Sequence, residues 1–390
     1  MIKKRFISML VLLAAVVTGA VAQTTYKVSV KEGTEDATSW TIAPPEATTT
    51  GVAQGTQVTA SYGGVKKVKS VKAVKKAPAG PPSWKLTLSS PAKDLYITAN
   101  GGLIAQHTLD VASTEFTVEM PELTSQTVNI VATDGSGNCW YCTQENMSFA
   151  IGQTYQSSPT MTALGTESSA DVYKMTGAGT IPAGKTVVLS GVNISGSLEC
   201  SGDATIILMG DNSVTSSTNN KAAIKIGGSG TTLTITGSGS LTAQGGGGSA
   251  GIGTDRNGSG GNIVINGGTV TATGGNYGAG IGTGLAQQAT NTCGDITING
   301  GTVTATGGGN YGAGIGTGFS FSASNTCGNI TIGTGVTSVT ATKGNSSPNS
   351  IGKGYAIGGG TQTCGTITIG GDATTYAAGV TTSPFTYPAP

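Results

Sequence analysis

The sequence predicts an all-β protein, a C-terminal parallel β-helix (solenoid) preceded by small antiparallel β domains. Three observations predict it. Near-identical units recur through the second half, apolar residues alternate with polar ones inside each unit, and glycine reaches 65 of 390 residues. Alternation with period two is a strand signal, and a repeat of about 20–50 residues is the signature of a solenoid. The chain is weakly charged, with 10% charged residues and a formal net charge of +1, which excludes the basic footprint of a nucleic-acid binder. Its 37% hydrophobic content also excludes a disordered chain, which combines low hydrophobicity with high net charge.

Lys3, Lys4 and Arg5 precede the apolar run 7–17, and Ala20, Val21 and Ala22 form an A-x-A cleavage signal before Gln23. Residues 1–22 are therefore expected to be a secretory signal peptide, with the mature chain secreted or at the cell surface. An N-terminal anchor helix is the competing reading, but the run is short for a bilayer. No cysteine follows the cleavage point to carry a lipid. No later segment is apolar enough to cross, so no membrane span is expected after signal cleavage.

Residues 23–77 read as a small β domain. It opens on an alternating strand, Tyr26 to Val30, and carries β-prone runs at 57–62 and 65–74. The second run bears Lys66, Lys67, Lys69, Lys72, Lys75 and Lys76. These form either a basic patch for an acidic glycan or nucleic acid, or a solvated strand face that discourages edge pairing, and the second reading is preferred. The proline-rich stretch 78–82 reads as a linker. Residues 83–165 read as a β-sandwich. The strands 84–88, 95–98, 116–119 and 128–131 alternate, with Gly, Pro, Asn and Asp between them. The single histidine, His107, has no partner set for metal binding or catalysis. Residues 166–185 are a connector, and 186–390 a right-handed parallel β-helix.

Within the helix, residues 262–275 and 295–308 are almost the same sequence, and each is followed by Asn-Tyr-Gly-Ala-Gly-Ile-Gly-Thr-Gly. Ile296 and Ile298, Val303 and Ala305, then Ala313 and Ile315 alternate with polar residues around Asn-Gly-Gly. Three short strands separated by glycine corners describe one coil. A single coil cannot bury its inward face, whereas stacked coils bury it and satisfy each other's backbone groups. The stack predicts like-on-like columns: Leu233, Ile263, Ile296, Ile330 and Ile367; Ala250, Ala279 and Ala313; and Ile252, Ile281, Ile315 and Ile357.

Cys293, Cys327 and Cys364 each stand in Thr-Cys-Gly-x-Ile-Thr-Ile. They read as a buried thiol column, although rung spacing would also let a pair oxidise. Cys139 and Cys142 read as a local disulfide. A redox motif needs a βαβ context and a zinc site needs a second ligand pair, and neither is present. Metal ligands and cofactors are expected to be none.

Catalytic residues are also expected to be none. Glycoside hydrolysis needs paired carboxylates. The solenoid's carboxylates, Glu199, Asp203, Asp211, Asp255, Asp295 and Asp372, occur at different places in their coils and are not expected to converge. Asp255 and Arg256 read as a surface pair in a Gly-rich loop. What repeats outside is polar and uncharged. Thr269, Thr271 and Thr273 align with Thr302, Thr304 and Thr306, and Tyr277 aligns with Tyr311. Aromatic rings beside hydroxyls suit a sugar face. Two other readings stay open: threonine is a good solvent-facing strand residue, and a regular threonine lattice could order water and bind ice.

Residues 202–214 and the Cys-Gly-x-Ile-Thr-Ile … Gly-Ala-Gly-Ile-Gly units resemble β-helical surface proteins of Bacteroidetes, of the carbohydrate-binding-domain type with a pectate-lyase-like fold. Residues 146–155 resemble the end of fimbrillin-like domains. The resemblance implies a non-catalytic adhesin or carbohydrate-binding protein associated with the outer membrane, whose partner is a polysaccharide or host glycan. The alternatives are a polysaccharide lyase or hydrolase on the same fold, and a structural spacer of a surface appendage.

Overall fold

A computed structural model describes residues 80–388 in full, and within 1–79 only the backbone of short strands. The chain divides into two units, 1–80 and 81–390. In the first unit, Trp40–Ala43, Gln57–Tyr62 and Val65–Lys72 form an antiparallel sheet. Thr25–Lys27 pairs with Ala14–Val16 and Val52–Ala53. The remainder of the expected leader and the side chains of the Lys-rich strand lie outside the described residues.

The second unit begins with six antiparallel-sheet strands: β1 (Ser83–Ala99), β2 (Gly102–Glu119), β3 (Leu123–Thr133), β4 (Cys139–Phe149), β5 (Thr154–Ser157) and β6 (Thr162–Ala163). Their order is β2-β1-β3-β4-β6, with β5 parallel to the first half of β1. The β1–β2 turn places Asn100 and Gly101 at φ 50° and 78°, which is why Asn-Gly stands there. The first half of β1 alternates buried and exposed, whereas residues 94–99 are all buried. Leu95, Ile97 and Ala99 enter the sandwich core with Trp84, Phe116 and Ile130. The opposite side carries Asp94, Tyr96 and Thr98, and it lies against the solenoid.

That contact joins the sandwich to the solenoid within one compact unit. Tyr96, Val131, Cys139 and Leu164 pack on Val172, Val188, Ile207 and Met209. The hydroxyls of Thr98 and Thr186 lie 2.9 Å apart, Thr205 Oγ1 donates to the Gly101 carbonyl at 2.6 Å, and Ser238 Oγ donates to Asp94 Oδ2 at 3.1 Å.

The solenoid is built from parallel sheets whose strands follow one another in each coil. Sheet A has eight strands, from Val172–Lys174 to Ile367–Ile369. Sheet B runs from Asn193–Ser195 through Thr269–Thr273 and Gly301–Thr306 to Val336–Thr342, and sheet C from Gly179–Ile181 to Ile351–Gly352. Register is like on like. Leu233, Ile263, Ile296, Ile330 and Ile367 stack on sheet A. Inward side chains of all three sheets meet in one continuous apolar cluster, and burying each such Ile or Val contributes about 1.5–3 kcal/mol.

Sheet C shows why Ile-Gly recurs. Gly253, Gly282, Gly316 and Gly352 stack with φ between 121° and 145°. A Cβ on Gly282 would run into the Gly316 carbonyl oxygen. Adjacent coils approach too closely here for any side chain. At the far end the parallel order stops: Phe385–Tyr387 pairs antiparallel with Val336–Thr342, and Val380 pairs antiparallel with Ile351. This closes two of the edges that would otherwise template further strands.

Several expectations are corrected. The first rung lies at Val172–Lys174, ahead of residue 186 and inside the stretch read as a connector. The last three coils carry a fourth short sheet, D, formed by Asn291–Cys293, Ser324–Cys327 and Thr361–Cys364. The isoleucine column on sheet C ends on Ile351, while Ile357 is exposed. The segment from Thr342 to Ile351 is as long as that from Thr306 to Ile315, so Ile351 takes the column place and Ile357 falls on the turn beyond. Finally, Cys139 and Cys142 are free. Three positions apart on one strand they face opposite sides, Cys139 toward the solenoid and Cys142 toward the sandwich core, so no local disulfide forms. Burial pushes the Cys139 thiol up to about 12, as it does that of Cys200. Cys293, Cys327 and Cys364 are free and stack in register on sheet D. The thiol of Cys327 is held well above the usual range by its hydrogen bond with Cys293.

Candidate functional site

Two of the solenoid's carboxylates do converge, contrary to the sequence expectation. Lys221 Nζ lies 2.9 Å from Glu199 Oε1 and 3.0 Å from Asp255 Oδ2, and Lys225 Nζ lies 3.4 Å and 3.7 Å from the same two groups. Stacking brings Lys225 directly onto Glu199 on the outer face of sheet C. The hydrogen bond from Lys221 holds the Glu199 carboxyl below the usual carboxylate range, and the same bond holds the Lys221 ammonium above its usual value. A lysine held protonated in this way is a poor general base.

Of the other carboxylates, Asp211 Oδ1 accepts from Ser240 Oγ at 2.8 Å, and the rest, together with the second oxygen of Asp255, serve the backbone. Asp203 Oδ1 accepts from Thr232 N, Asp295 Oδ1 from Asn329 N and Asp255 Oδ1 from Ala222 N, at 2.7–2.8 Å. Asn262 and Asn329 do the same at the column position of Asp295, accepting from Asp295 N and Thr366 N. Aspartate and asparagine alternate in one column because both offer the oxygen that caps the next rung. Asp372 accepts from Thr374 N and Thr375 N in the terminal turn.

The charge cluster yields a pH prediction. Glu199 has a depressed folded-state value, so its contribution is present above about pH 4.5 and is lost as pH falls through that folded value. Lys221 has a raised value, so its contribution is present below its usual value and lost as pH rises through the folded one. The groups are about one-third exposed, so screening holds the gain under about 1 kcal/mol. Thermal melting should show wild type above Glu199→Gln at neutral pH, with the gap closing on acidification. A gap independent of pH would remove the charge from the account.

The threonines singled out by sequence form a wall on sheet B. Thr269, Thr271 and Thr273 pair with Thr302, Thr304 and Thr306, and these with Ser338, Thr340 and Thr342. Val270 and Ala272 point inward between them. Threonine also lines the outer faces of sheet A (Thr297, Thr331, Thr368) and sheet D (Thr292, Thr326, Thr363). A residue that recurs on the solvent faces of three of the four sheets marks a good strand former and does not by itself distinguish a ligand face.

The corner between sheets B and C is more distinctive. The rings of Tyr277 and Tyr311 stack with centroids 5.9 Å apart and planes 7° apart, and Tyr355 continues the stack at 5.4 Å from Tyr311. Phe319 fits against them, 4.6 Å from Tyr311 and 5.7 Å from Tyr277, with Phe321 6.4 Å beyond. Backbone hydrogen bonds set the register: Leu285 N donates to Gly248 O, Phe319 N to Tyr277 O and Tyr355 N to Tyr311 O. Leu285, Phe319 and Tyr355 thus occupy one position in successive coils, each following Ile-Gly-x-Gly. Among the described residues five large hydrophobics are exposed, and three of them, Phe321, Tyr355 and Ile357, lie on these turns. Ile357 N donates to Ser320 O, which places it beside Phe321. Exposed amides run alongside: Asn276 and Asn310 precede the two tyrosines and share one place in successive coils, which Ser346 takes in the last coil.

A buried amide column holds this corner from behind. Asn291 Nδ2 donates to Asp255 O and Leu285 O, Asn325 Nδ2 to Gly284 O and Phe319 O, and Gln362 Nε2 to Gly318 O and Tyr355 O. Each amide ties the aromatic-bearing turn of its coil to the strand of sheet D.

Tyr277 and Tyr311 therefore come together as the sequence suggested. Phe319, Phe321, Tyr355, Ile357 and the two asparagines were missed. The asparagines could have been read from the repeated Gly-Asn-Tyr-Gly. The turn positions required the coil register. The described recesses lie elsewhere, the larger ones about 400 Å³: one lined by Lys85, Glu115 and Gln156 on the sandwich, one by Asn100, Asp171 and Lys185.

The beta helix repeat family model matches residues 233–256, 263–285 and 296–319. These are three successive coils, each running from sheet A through sheet B to the turn after sheet C. Comparison with curated proteins and with solved structures gave no match.

Proposed function

We propose that this protein is a non-catalytic glycan-binding module, of the adhesin type, whose ligand lies on the aromatic corner of the solenoid. The observation that carries this reading is the stack of Tyr277, Tyr311 and Tyr355 with Phe319, flanked by exposed asparagine amides. Sugars are bound by apolar contact of their C–H faces with aromatic groups and by hydrogen bonds to their hydroxyls. The neighbouring threonine wall adds hydroxyls to the same surface, and the resemblance of the repeats to carbohydrate-binding β-helical surface proteins points the same way.

The chemistry of the charged groups supports a binding role over a lyase or hydrolase. Glu199 and Asp255 are neutralised by Lys221 and Lys225, and Asp203, Asp295 and Asp372 cap backbone groups. Hydrolysis would need one carboxyl held protonated, whereas Glu199 is held ionised. The signal-peptide reading of residues 1–22 places such a module outside the cytoplasm.

The mature protein is expected to bind a polysaccharide or host glycan on an array, and to release neither reducing ends nor unsaturated uronates from what it binds. Tyr311→Ala should reduce binding with little change in melting temperature. Sustained cleavage of any bound polymer would replace the module with an enzyme. Undiminished adhesion by Tyr311→Ala would favour a spacer whose solenoid takes no ligand.

A further inference from the structure

We infer that the ligand is a neutral, extended, β-1,4-linked polysaccharide that runs along the solenoid axis with one sugar per coil. This rests on the glycan-binding reading and adds the class and direction of the chain. Tyr277, Tyr311 and Tyr355 belong to successive coils, which lie about 4.8 Å apart along the axis, and their ring centroids are separated by 5.9 Å and 5.4 Å. That step is close to the advance per residue of an extended β-1,4-linked pyranose chain. A ligand laid across the axis would meet one aromatic position and then leave the corner. A ligand laid along it meets an aromatic ring again at each of three successive coils, from the Tyr277 column in two of them and from the Phe319 column in the last.

The amides repeat with the rings. Asn310 N donates to Asn276 O at 3.4 Å and Ser346 N to Asn310 O at 2.7 Å, so the asparagine-bearing turns are stacked in register. The side chains of Asn276 and Asn310 are exposed, and neither has a hydrogen-bond partner among the described residues; Ser346 presents an exposed hydroxyl at the same place. An amide offers both donors and an acceptor, the set that matches adjacent sugar hydroxyls. At the far end Phe321 and Ile357, 43% and 41% exposed, extend the apolar track.

Charge decides between neutral and acidic chains. A uronate polymer presents a carboxylate at each sugar and would call for a cation at each coil. The positions that repeat here are Asn, Tyr, Gly and Thr. Arg256, which stands in the first coil at the place of Leu285, Phe319 and Tyr355, is already engaged by Gln287 Oε1. Lys343, whose Nζ donates to Pro348 O at 3.2 Å, and Lys353 are the cations of the last coil, and the four-group cluster at Glu199 is internally neutralised.

The test is calorimetric titration with neutral β-1,4-linked oligosaccharides (cello-, xylo-, manno- and chito-series) from disaccharide to hexasaccharide, with polygalacturonate as the acidic probe. In at least one neutral series Kd should fall several-fold with each added sugar up to the tetrasaccharide and then level off. Polygalacturonate should bind at least about tenfold more weakly per site. Tyr311→Ala should flatten the length dependence. So should Asn276→Ala with Asn310→Ala, whose exposed side chains leave folding untouched. Tighter binding of polygalacturonate would overturn this inference while leaving the glycan module intact, and so would an affinity independent of length. Absence of binding to every glycan, on the array and in solution, would overturn both.

Discussion

Gly282→Ala is expected to lower the stability of the solenoid by about 3 kcal/mol or more. A side chain at a left-handed φ costs roughly 1–2 kcal/mol, and overpacking a close-packed contact costs roughly 1–3 kcal/mol. Both apply here: φ is 131°, and the new Cβ would meet the Gly316 carbonyl oxygen. No flexible side chain is there to yield, so coils must separate. Each coil is stabilised by its neighbours, and the loss spreads along the stack. Gly228 is the control. A Cβ there meets nothing within 4 Å, and Gly228→Ala should melt within a degree or two of wild type. Equal melting of the two variants in chemical or thermal denaturation would contradict the close approach of coils on sheet C.

Asn325→Ala is expected to cost about 1–3 kcal/mol, and also to weaken ligand binding. The side chain is fully buried, and its Nδ2 donates to Gly284 O at 2.9 Å and Phe319 O at 3.1 Å. Removing it strands the buried Gly284 carbonyl, which costs roughly 1–3 kcal/mol, while Phe319 O keeps its bond from Ala286 N. It also releases the turn that presents Phe319 against Tyr311. Tyr311→Ala makes the opposite pair of changes, with most of the loss in binding and little in stability, because Tyr311 is partly exposed. Stability and glycan affinity measured on both variants would separate a positioning residue from a contact residue. Full affinity in a destabilised Asn325→Ala would detach the buried amide from the site.

Only part of the candidate site was legible beforehand. Tyr277 and Tyr311 stand in nearly identical sequence, so their stacking follows from the repeat alone. Phe319 and Tyr355 do not resemble Leu285, and they share its place only through hydrogen bonds between coils. Glu199 and Asp255 belong to separate coils, and they meet through Lys221 and Lys225 because the outer face of sheet C aligns them. The spacing of Cys139 and Cys142 suggested a pair, but strand alternation sends them to opposite faces. The threonine wall was visible in the sequence. Its lack of distinction was not, because that needed the outward residues of sheets A and D.

The sequence by itself determined the solenoid. Period-two alternation, Asn-Gly-Gly corners and repeated Ile-Thr-Ile segments leave stacked coils as the arrangement that buries the apolar residues and pairs the backbone. Tertiary structure alone decided which surfaces remained open. The sandwich covers the first rungs of sheet A, where Thr186 and Thr205 are buried, and the later rungs stay exposed. It also decided which turns brought aromatic groups together. Local sequence sets the direction of each side chain along its own strand. What lies beside that side chain depends on segments a whole coil or a whole domain away, whose register no local pattern records.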